Sequence, residues 1–156
     1  MELEALMVAF AREIGFEGIR PDEDGVYNLM ADDIYVHFAP TGDNLHFILW
    51  AEICDEPEGA NVRLWRILMQ AMFEDRAING GTFSIAEGSV FLHQREALAV
   101  TDFERFKTVL ESFLNRVESW RDQITRFDSI QTELNAAEDA ARLEQRQFGL
   151  GDFIKV

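Results

Sequence analysis

Residues 80–127 read GGTFSIAEGSVFLHQREALAVTDFERFKTVLESFLNRVESWRDQITRF and carry the clearest structural signals of the chain. Residues 82–86 and 90–97 predict two strands, and residues 87–89 predict the tight turn between them, because Gly88 can adopt the positive φ that a hairpin requires. Thr101 precedes Glu104 by three residues, which is the spacing of a capping box and predicts the start of a long helix.

That helix carries apolar residues at alternating spacings of three and four, which places them on one stripe. The stripe contains Phe103, Phe106, Leu110, Phe113, Val117, Trp120, Ile124 and Phe127. So many bulky rings suit a helix lying across a sheet better than the narrow seam of a coiled coil. The hairpin in front of the helix supplies strands for that sheet.

The rest of the chain adds two helices and three strands. Apolar residues at helical spacing predict a first helix over residues 2–14, and a second helix is predicted over residues 61–77. Alternating patterns between turn-forming residues predict strands over residues 26–31, 34–39 and 45–54. The order helix, three strands, helix, two strands, helix predicts an α+β fold (α-β-β-β-α-β-β-α) with a twisted antiparallel five-stranded sheet flanked by helices.

Two elements are more apolar than their own packing requires. The third strand has one fully apolar face, and its other face carries Ile48 and Trp50, although a half-solvated strand should be polar there. We expect a helix or another chain to cover Trp50. The second helix has a broad face of Trp, Met and Phe residues, which suits a protein interface and an ordinary core helix equally well.

Composition narrows the class of partner. The chain has 156 residues, enough for one domain with a real core, and a formal net charge of −15. Residues 1–60 hold 14 acidic and 2 basic side chains, which is a net charge of −12. Like charges repel, so nucleic acid and insertion at an anionic membrane are not expected. The acidic half indicates a basic partner or a need for solubility.

Location and domain organisation follow from simple counts. The single Cys54 and the acidic start Met1-Glu2-Leu3-Glu4 predict a cytoplasmic protein without a signal peptide. No apolar run reaches the roughly 18 residues of a membrane span. We expect residues 1–127 to form the main domain. Residues 128–147 are a weakly anchored helical extension, and residues 148–156 are an apolar tail that is either disordered or docked as an extra strand.

Chemistry-bearing motifs are missing from the sequence. There is no phosphate-binding glycine loop, nucleophile elbow, HExxH or CxxC. The acidic residues 22–24 lack the alternating spacing of a calcium loop. His37, His46 and His93 fall on three predicted strands, where histidines satisfied by hydrogen bonds are expected rather than a zinc site. The sequence therefore predicts no enzyme, no metal and no cofactor.

The element order, the acidity and several local segments resemble the class I type III secretion chaperones, the Tir-chaperone family of Gram-negative bacteria. The resemblance covers about residues 1–125. It is carried by the Leu3-x-x-Leu6-Met7 start and Ile14-Gly15 end of helix one, by the hairpin and by the long helix. The hairpin and helix segments are Phe83-Ser84-Ile85, Val90-Phe91-Leu92-His93-Gln94-Arg95, Leu98, Thr101-Asp102-Phe103-Glu104, Phe113-Leu114 and Trp120-Arg121.

The resemblance implies a cytoplasmic homodimer that binds the N-terminal region of one or a few secreted effectors in extended form and presents it to the secretion apparatus. The secretion ATPase is a further implied partner. Dimerisation through the second helix and the strand after it places Trp65, Leu68, Met69, Met72 and Phe73 at the interface. Effector binding falls on the first helix and the first strands, with Leu6, Phe10, Val26, Leu29, Ile34, Val36, Phe38, Ile48 and Trp50 as candidates.

The first strand is expected to be a free sheet edge to which an extended peptide can add. The alternative is a small acidic regulatory module of related fold that binds a different protein partner.

Overall fold

The computed structural model describes residues 2–16, 18–56, 62–74 and 80–151, and only the backbone beyond residue 137. The predicted order of elements is confirmed. The elements are α1 (Leu3–Glu13), β1 (Tyr27–Ala31), β2 (Ile34–Pro40), β3 (His46–Asp55), α2 (Val62–Glu74), β4 (Gly81–Ala86), β5 (Ser89–Ala97), a 3₁₀ turn (Leu98–Val100) and α3 (Phe103–Gly151). The chain divides into two compact units, residues 1–121 and 122–156.

The five strands form one sheet in the order β1-β2-β3-β5-β4, and every neighbouring pair is antiparallel. The hairpin of β4 and β5 closes through only two residues, Glu87 with φ 52° and Gly88 with φ 81°. This is the pattern of a hairpin turn with two positive φ angles. Ser89, predicted as part of the turn, instead pairs with Ala86 and begins β5.

The core lies on one face of the sheet, which we call the core face. Phe106 of α3 is buried there, and its ring centroid lies 5.8 Å from Phe38 and 6.0 Å from Phe47. Phe10 of α1 meets the same ring edge to face at 5.8 Å. Further along α3, Trp120 meets Phe83 at 5.0 Å. The part of the apolar stripe from Phe106 to Trp120 therefore lies across the sheet, as its spacing predicts.

A β-bulge in β3 explains how α3 is held at its Trp120 end. The register between β3 and β5 shifts between Glu52 and Cys54, so Ile53 is an extra residue. Arg121 of α3 donates to the Glu52 carbonyl oxygen from Nε at 3.2 Å and from Nη2 at 2.9 Å. Its Nη1 also reaches the Asp33 carbonyl oxygen at 3.3 Å, so one side chain connects α3 with β3 and with the turn between β1 and β2.

The start of α3 differs from the prediction. The Thr101 hydroxyl donates to the Ala97 carbonyl oxygen at 2.7 Å, and it closes the preceding 3₁₀ turn instead of capping the helix. Asp102 takes the capping role, because its Oδ1 accepts the backbone N–H of Arg105 at 2.8 Å. The predicted capping box of Thr101 and Glu104 is therefore wrong by one residue.

Two predicted segments lie partly outside the described residues. The second helix was expected over residues 61–77 and is observed as Val62–Glu74, and the positions on either side of it are among those not described. The backbone of α3 continues through the predicted helical extension to Gly151, so the first residues of the predicted apolar tail are helical. Residues 152–156 of that tail lie outside the described part of the chain.

Phe106 is the side chain on which we expect the stability of the fold to depend most. Truncation by Phe106→Ala should lower the free energy of unfolding by about 3–5 kcal/mol, because it leaves a cavity between α1, α3 and the sheet. Urea denaturation followed by circular dichroism measures the change. The control Ile130→Ala alters an exposed α3 residue and should change the value by less than about 0.5 kcal/mol. Equal effects of the two variants would contradict this placement of the core.

Candidate partner-binding surfaces

The free edge of the sheet is the first candidate surface. Within the described residues β1 pairs only with β2, so its other side has no strand beside it. The two-residue loop between Ala31 and Ile34 closes on a hydrogen-bonded pair, and such pairs alternate along an antiparallel ladder. The N–H and C=O groups of Asn28 and Met30 therefore point away from β2. An extended peptide can pair with these groups.

The Asn28 end of this edge is fixed by side-chain hydrogen bonds. Asn28 Nδ2 donates to Asp22 Oδ2 at 3.1 Å, and its Oδ1 lies 2.6 Å from His37 Nδ1. Asp22 Oδ1 accepts the backbone N–H of Val26 at 2.9 Å, and this bond holds the pKa of Asp22 below its ordinary value. The turn before β1 is thus tied to the strand, whereas Met30 is 64% exposed.

The predicted effector-binding residues separate into two groups. Four of them, Leu6, Ile34, Val36 and Phe38, are at most 1% exposed and belong to the core of the chain. They cannot touch a partner in this conformation, because each points to the core face or into the helix layer on it. The others remain partly exposed: Phe10, Val26, Leu29, Ile48 and Trp50.

The opposite face of the sheet, which we call the second face, is the second candidate surface. None of its side chains is buried in the described strands, although many of them are apolar or aromatic. They include Asn28, Met30, Tyr35, His37, Ala39, His46, Ile48, Trp50, Glu52, Thr82, Ser84, Ala86, Ser89, Phe91, His93, Arg95 and Ala97. The sequence predicts that a helix or another chain covers Trp50. Among the described residues, no helix covers it.

Trp50 lies in the middle of this face. His37 and His93 are its direct cross-strand neighbours, and the imidazole of His37 stacks on the indole with centroids 5.3 Å apart and planes at 25°. Beside it is an open cavity of about 370 Å³, which we call the Trp50 cavity. It is lined by Ile48, Trp50, Ser84, Ala86, Glu87, Phe91 and His93.

Burial governs the charge of the two histidines. It lowers the pKa of His93, and it lowers the pKa of His37 against a smaller opposing effect from the Asp22 carboxylate. Burial therefore favours the neutral form of both imidazoles. Sequence reasoning missed their role, because the spacing of residues along single strands does not show that His37, Trp50 and His93 form one row across the sheet.

The exposed side of α2 is the third candidate surface. Leu64, Leu68 and Ala71 form its buried side. Leu68 is fully buried in the chain itself and cannot contribute to an interface. Val62, Met69 and Phe73 are spaced by seven and four residues and so share the opposite face, where Met69 is 51% and Phe73 90% exposed. The predicted residues Trp65 and Met72 flank this exposed stripe and are half buried.

Other chemistry is limited in the described residues. They contain no group of three or more His, Cys, Asp or Glu side chains that could hold a metal ion. His46 Nδ1 lies 3.0 Å from Arg95 Nη2 and 3.6 Å from Asp43 Oδ2, so it contacts both members of the Arg95–Asp43 ion pair. Within the same part of the chain, no helix is both long enough and apolar enough to cross a membrane.

Comparison with known proteins agrees with this architecture. The model of the Tir chaperone protein (CesT) family matches residues 6–121. No curated protein matches the sequence significantly. The chain belongs to the Tir chaperone protein (CesT) family, as its resemblance indicates.

Solved structures share the fold at low sequence identity. A chain of the ExsC–ExsE complex matches 78% of this protein and 96% of its own length, with 23% identity and a TM-score of 0.66. A chain of the HopA1–SchA chaperone–effector complex matches 76% of this protein and 92% of its own length, with 16% identity and a TM-score of 0.63. The Yersinia pestis type III secretion chaperone SycH, bound to a fragment of YscM2, matches 74% and 97%, with 19% identity and a TM-score of 0.56.

The row on the second face leads to a prediction about titration. His93 should titrate below 6.5 in the folded protein, the ordinary value for the group, as followed by NMR of its ring protons. Because the folded pKa is depressed, the neutral form stabilises the fold fully above pH 6.5. This contribution is lost as pH falls through the folded pKa.

Asp22→Asn is the control variant, because it should change the pKa of His37 and not that of His93. It removes the charge that opposes the depression at His37, so the pKa of His37 should fall further and that of His93 should not change. A pKa of 6.5 or higher for His93 would contradict the partial burial of this imidazole on the second face.

Proposed function

We propose that the protein is a cytoplasmic type III secretion chaperone of a Gram-negative bacterium. It binds the N-terminal region of one or a few effectors in extended form, keeps that region soluble and presents it to the secretion apparatus. Membership of the Tir chaperone family and the free edge of β1 carry this proposal. The function is assigned to residues 1–127, and it requires no catalytic group and no cofactor.

The edge of β1 suits a partner without a fold of its own in the bound region. Backbone hydrogen bonds to Asn28 and Met30 recognise any extended chain, and side-chain surfaces beside the strand supply the selection. Ordering a flexible segment costs about 2–5 kcal/mol or more, so the segment must bury a large apolar area. The half-exposed Leu29 and the apolar second face provide such area on both sides of the edge.

A second copy of the chain is the proposed partner for α2. Phe73 and Met69 lie on an exposed apolar stripe of α2, and the opposite side of this helix is already packed in the core. Exposed apolar patches of this kind mark association surfaces. We therefore propose a homodimer formed through Trp65, Met69, Met72 and Phe73, with Leu68 left in the core of each protomer. The secretion ATPase is proposed as a later partner of the loaded dimer.

The proposal is tested by capture of the tagged protein from its native host under secretion-inducing conditions, followed by limited proteolysis and mass spectrometry. We expect a stoichiometric partner that is protected over an N-terminal stretch of roughly 50–100 residues, as wrapped binding implies. A folded partner held through a compact domain would instead favour a regulatory module of the same fold.

Blocking the β1 edge should weaken capture of the partner. Met30→Pro removes an outward N–H without breaking the pairing with β2, and a lost backbone hydrogen bond with the accompanying strain should reduce affinity about tenfold or more. Met30→Ala keeps the N–H and should lose less. Calorimetric titration with the captured segment compares the two variants. Equal losses would assign the contact to the Met30 side chain and not to the backbone.

A charge on the exposed stripe of α2 should separate the dimer. Met69→Glu places a carboxylate in an apolar interface, which should cost about 3 kcal/mol or more and raise the dimer dissociation constant at least about a hundredfold. Gln70→Glu adds the same charge to the polar side of α2 and should leave the dimer intact. Light scattering on a sizing column reports both masses. A Met69→Glu protein that remains dimeric would place the interface elsewhere.

A further inference from the structure

The Trp50 cavity combines aromatic walls with an acidic rim. Trp50 and Phe91 provide two rings from neighbouring strands, and the stack of His37 on the indole holds Trp50 in place. Glu87 lines the same cavity from the turn between β4 and β5, and its side chain is exposed. The cavity is therefore not a uniform apolar depression, because an acidic residue lines it together with the aromatic residues.

The charges around the cavity favour a cation. Glu52 lies in the row of Phe91 and Ser84, and its carboxylate accepts a hydrogen bond from the Ser89 hydroxyl at 2.6 Å. Arg95 is the basic residue nearest along β5, but its Nη2 lies 3.4 Å from Asp43 Oδ2, which offsets its charge. Burial lowers the pKa of His93 and so disfavours a positive charge on this imidazole. Two carboxylates thus dominate locally.

We propose that the Trp50 cavity binds an arginine side chain of the extended protein partner, with the guanidinium stacked on an aromatic ring and paired with Glu87. The inference rests on the proposed function and names a recognition element beyond the β1 edge. A planar guanidinium can stack on a ring and pair with a carboxylate at the same time, whereas the strongly hydrated ammonium of lysine matches the cavity less well. The net charge of −15 draws basic segments toward the chain.

The test uses the full-length protein and three capped tripeptides that differ in one side chain. The probes are acetyl-Val-Arg-Val-amide, its citrulline analogue, which is neutral and nearly isosteric, and its leucine analogue. Binding is followed by the indole N–H signal of Trp50 in two-dimensional NMR, assigned with Trp50→Phe. The arginine peptide should bind about five- to tenfold more tightly than the citrulline peptide, from the stacking of a cation and an exposed ion pair.

Two variants that each remove one carboxylate test whether Glu87 causes the preference for arginine. Glu87→Gln removes the ion pair but not the stacking, so it should lower the affinity for the arginine peptide about two- to fivefold while leaving the affinity for the citrulline peptide unchanged. Glu23→Gln removes the same charge in the turn before β1, at the opposite edge of the sheet, and should leave the preference for arginine intact. Unchanged melting temperatures show that both variants remain folded.

Several outcomes would overturn the inference. These are equal binding of the arginine and citrulline peptides, tighter binding of the leucine peptide, or no movement of the Trp50 signal at the solubility limit of the arginine peptide. None of them affects the proposed function, which is measured separately by capture of the partner and by Met30→Pro. Conversely, the protein could prefer the arginine peptide and yet capture no partner. That result would support the arginine site and contradict the proposed function.

Discussion

The packing of α3 onto one face of the sheet is the constraint from which the rest of the structure follows. Phe106 contacts α1 and two central strands at once, and this contact closes the core on that face. A sheet needs only one sealed face to be stable when helices supply the other layer. In the described strands the second face remains open, and its aromatic residues are available for contacts that the chain does not make with itself.

The spacing of apolar residues was sufficient to predict the architecture, because each helix, strand and turn is indicated by residues that are close together in the sequence. The spacing of Phe106, Phe113 and Trp120 defines a stripe, and Gly88 permits the turn of the hairpin. The predicted start of α3 was wrong by one residue, because Thr101 and Asp102 are both residue types that cap helices. The choice between them depends on the Ala97 carbonyl, which lies in a 3₁₀ turn that the pattern does not reveal.

The candidate sites were less predictable because alternation shows which residues share a face and not which face is covered. Val36 and Phe38 were expected to meet a partner, yet both are buried on the core face with Phe47, where Phe38 contacts Phe106 of α3. Met30, which lies on the other face of the same hairpin, is exposed. In the same way, α2 is apolar on two sides, and only the structure separates the buried Leu68 from the exposed Phe73.

An open apolar face and a free edge strand expose a protein to unwanted self-association, and the chain has two features that oppose it. The edge strand β1 has only five residues, and acidic turns flank it at Asp22 and at Asp32-Asp33. Short edges and nearby charge are common protections against edge-to-edge pairing. The net charge of −15 adds repulsion between copies, which a neutral or basic partner segment does not experience. The same acidity that keeps the exposed surfaces soluble therefore biases them toward partners of opposite charge.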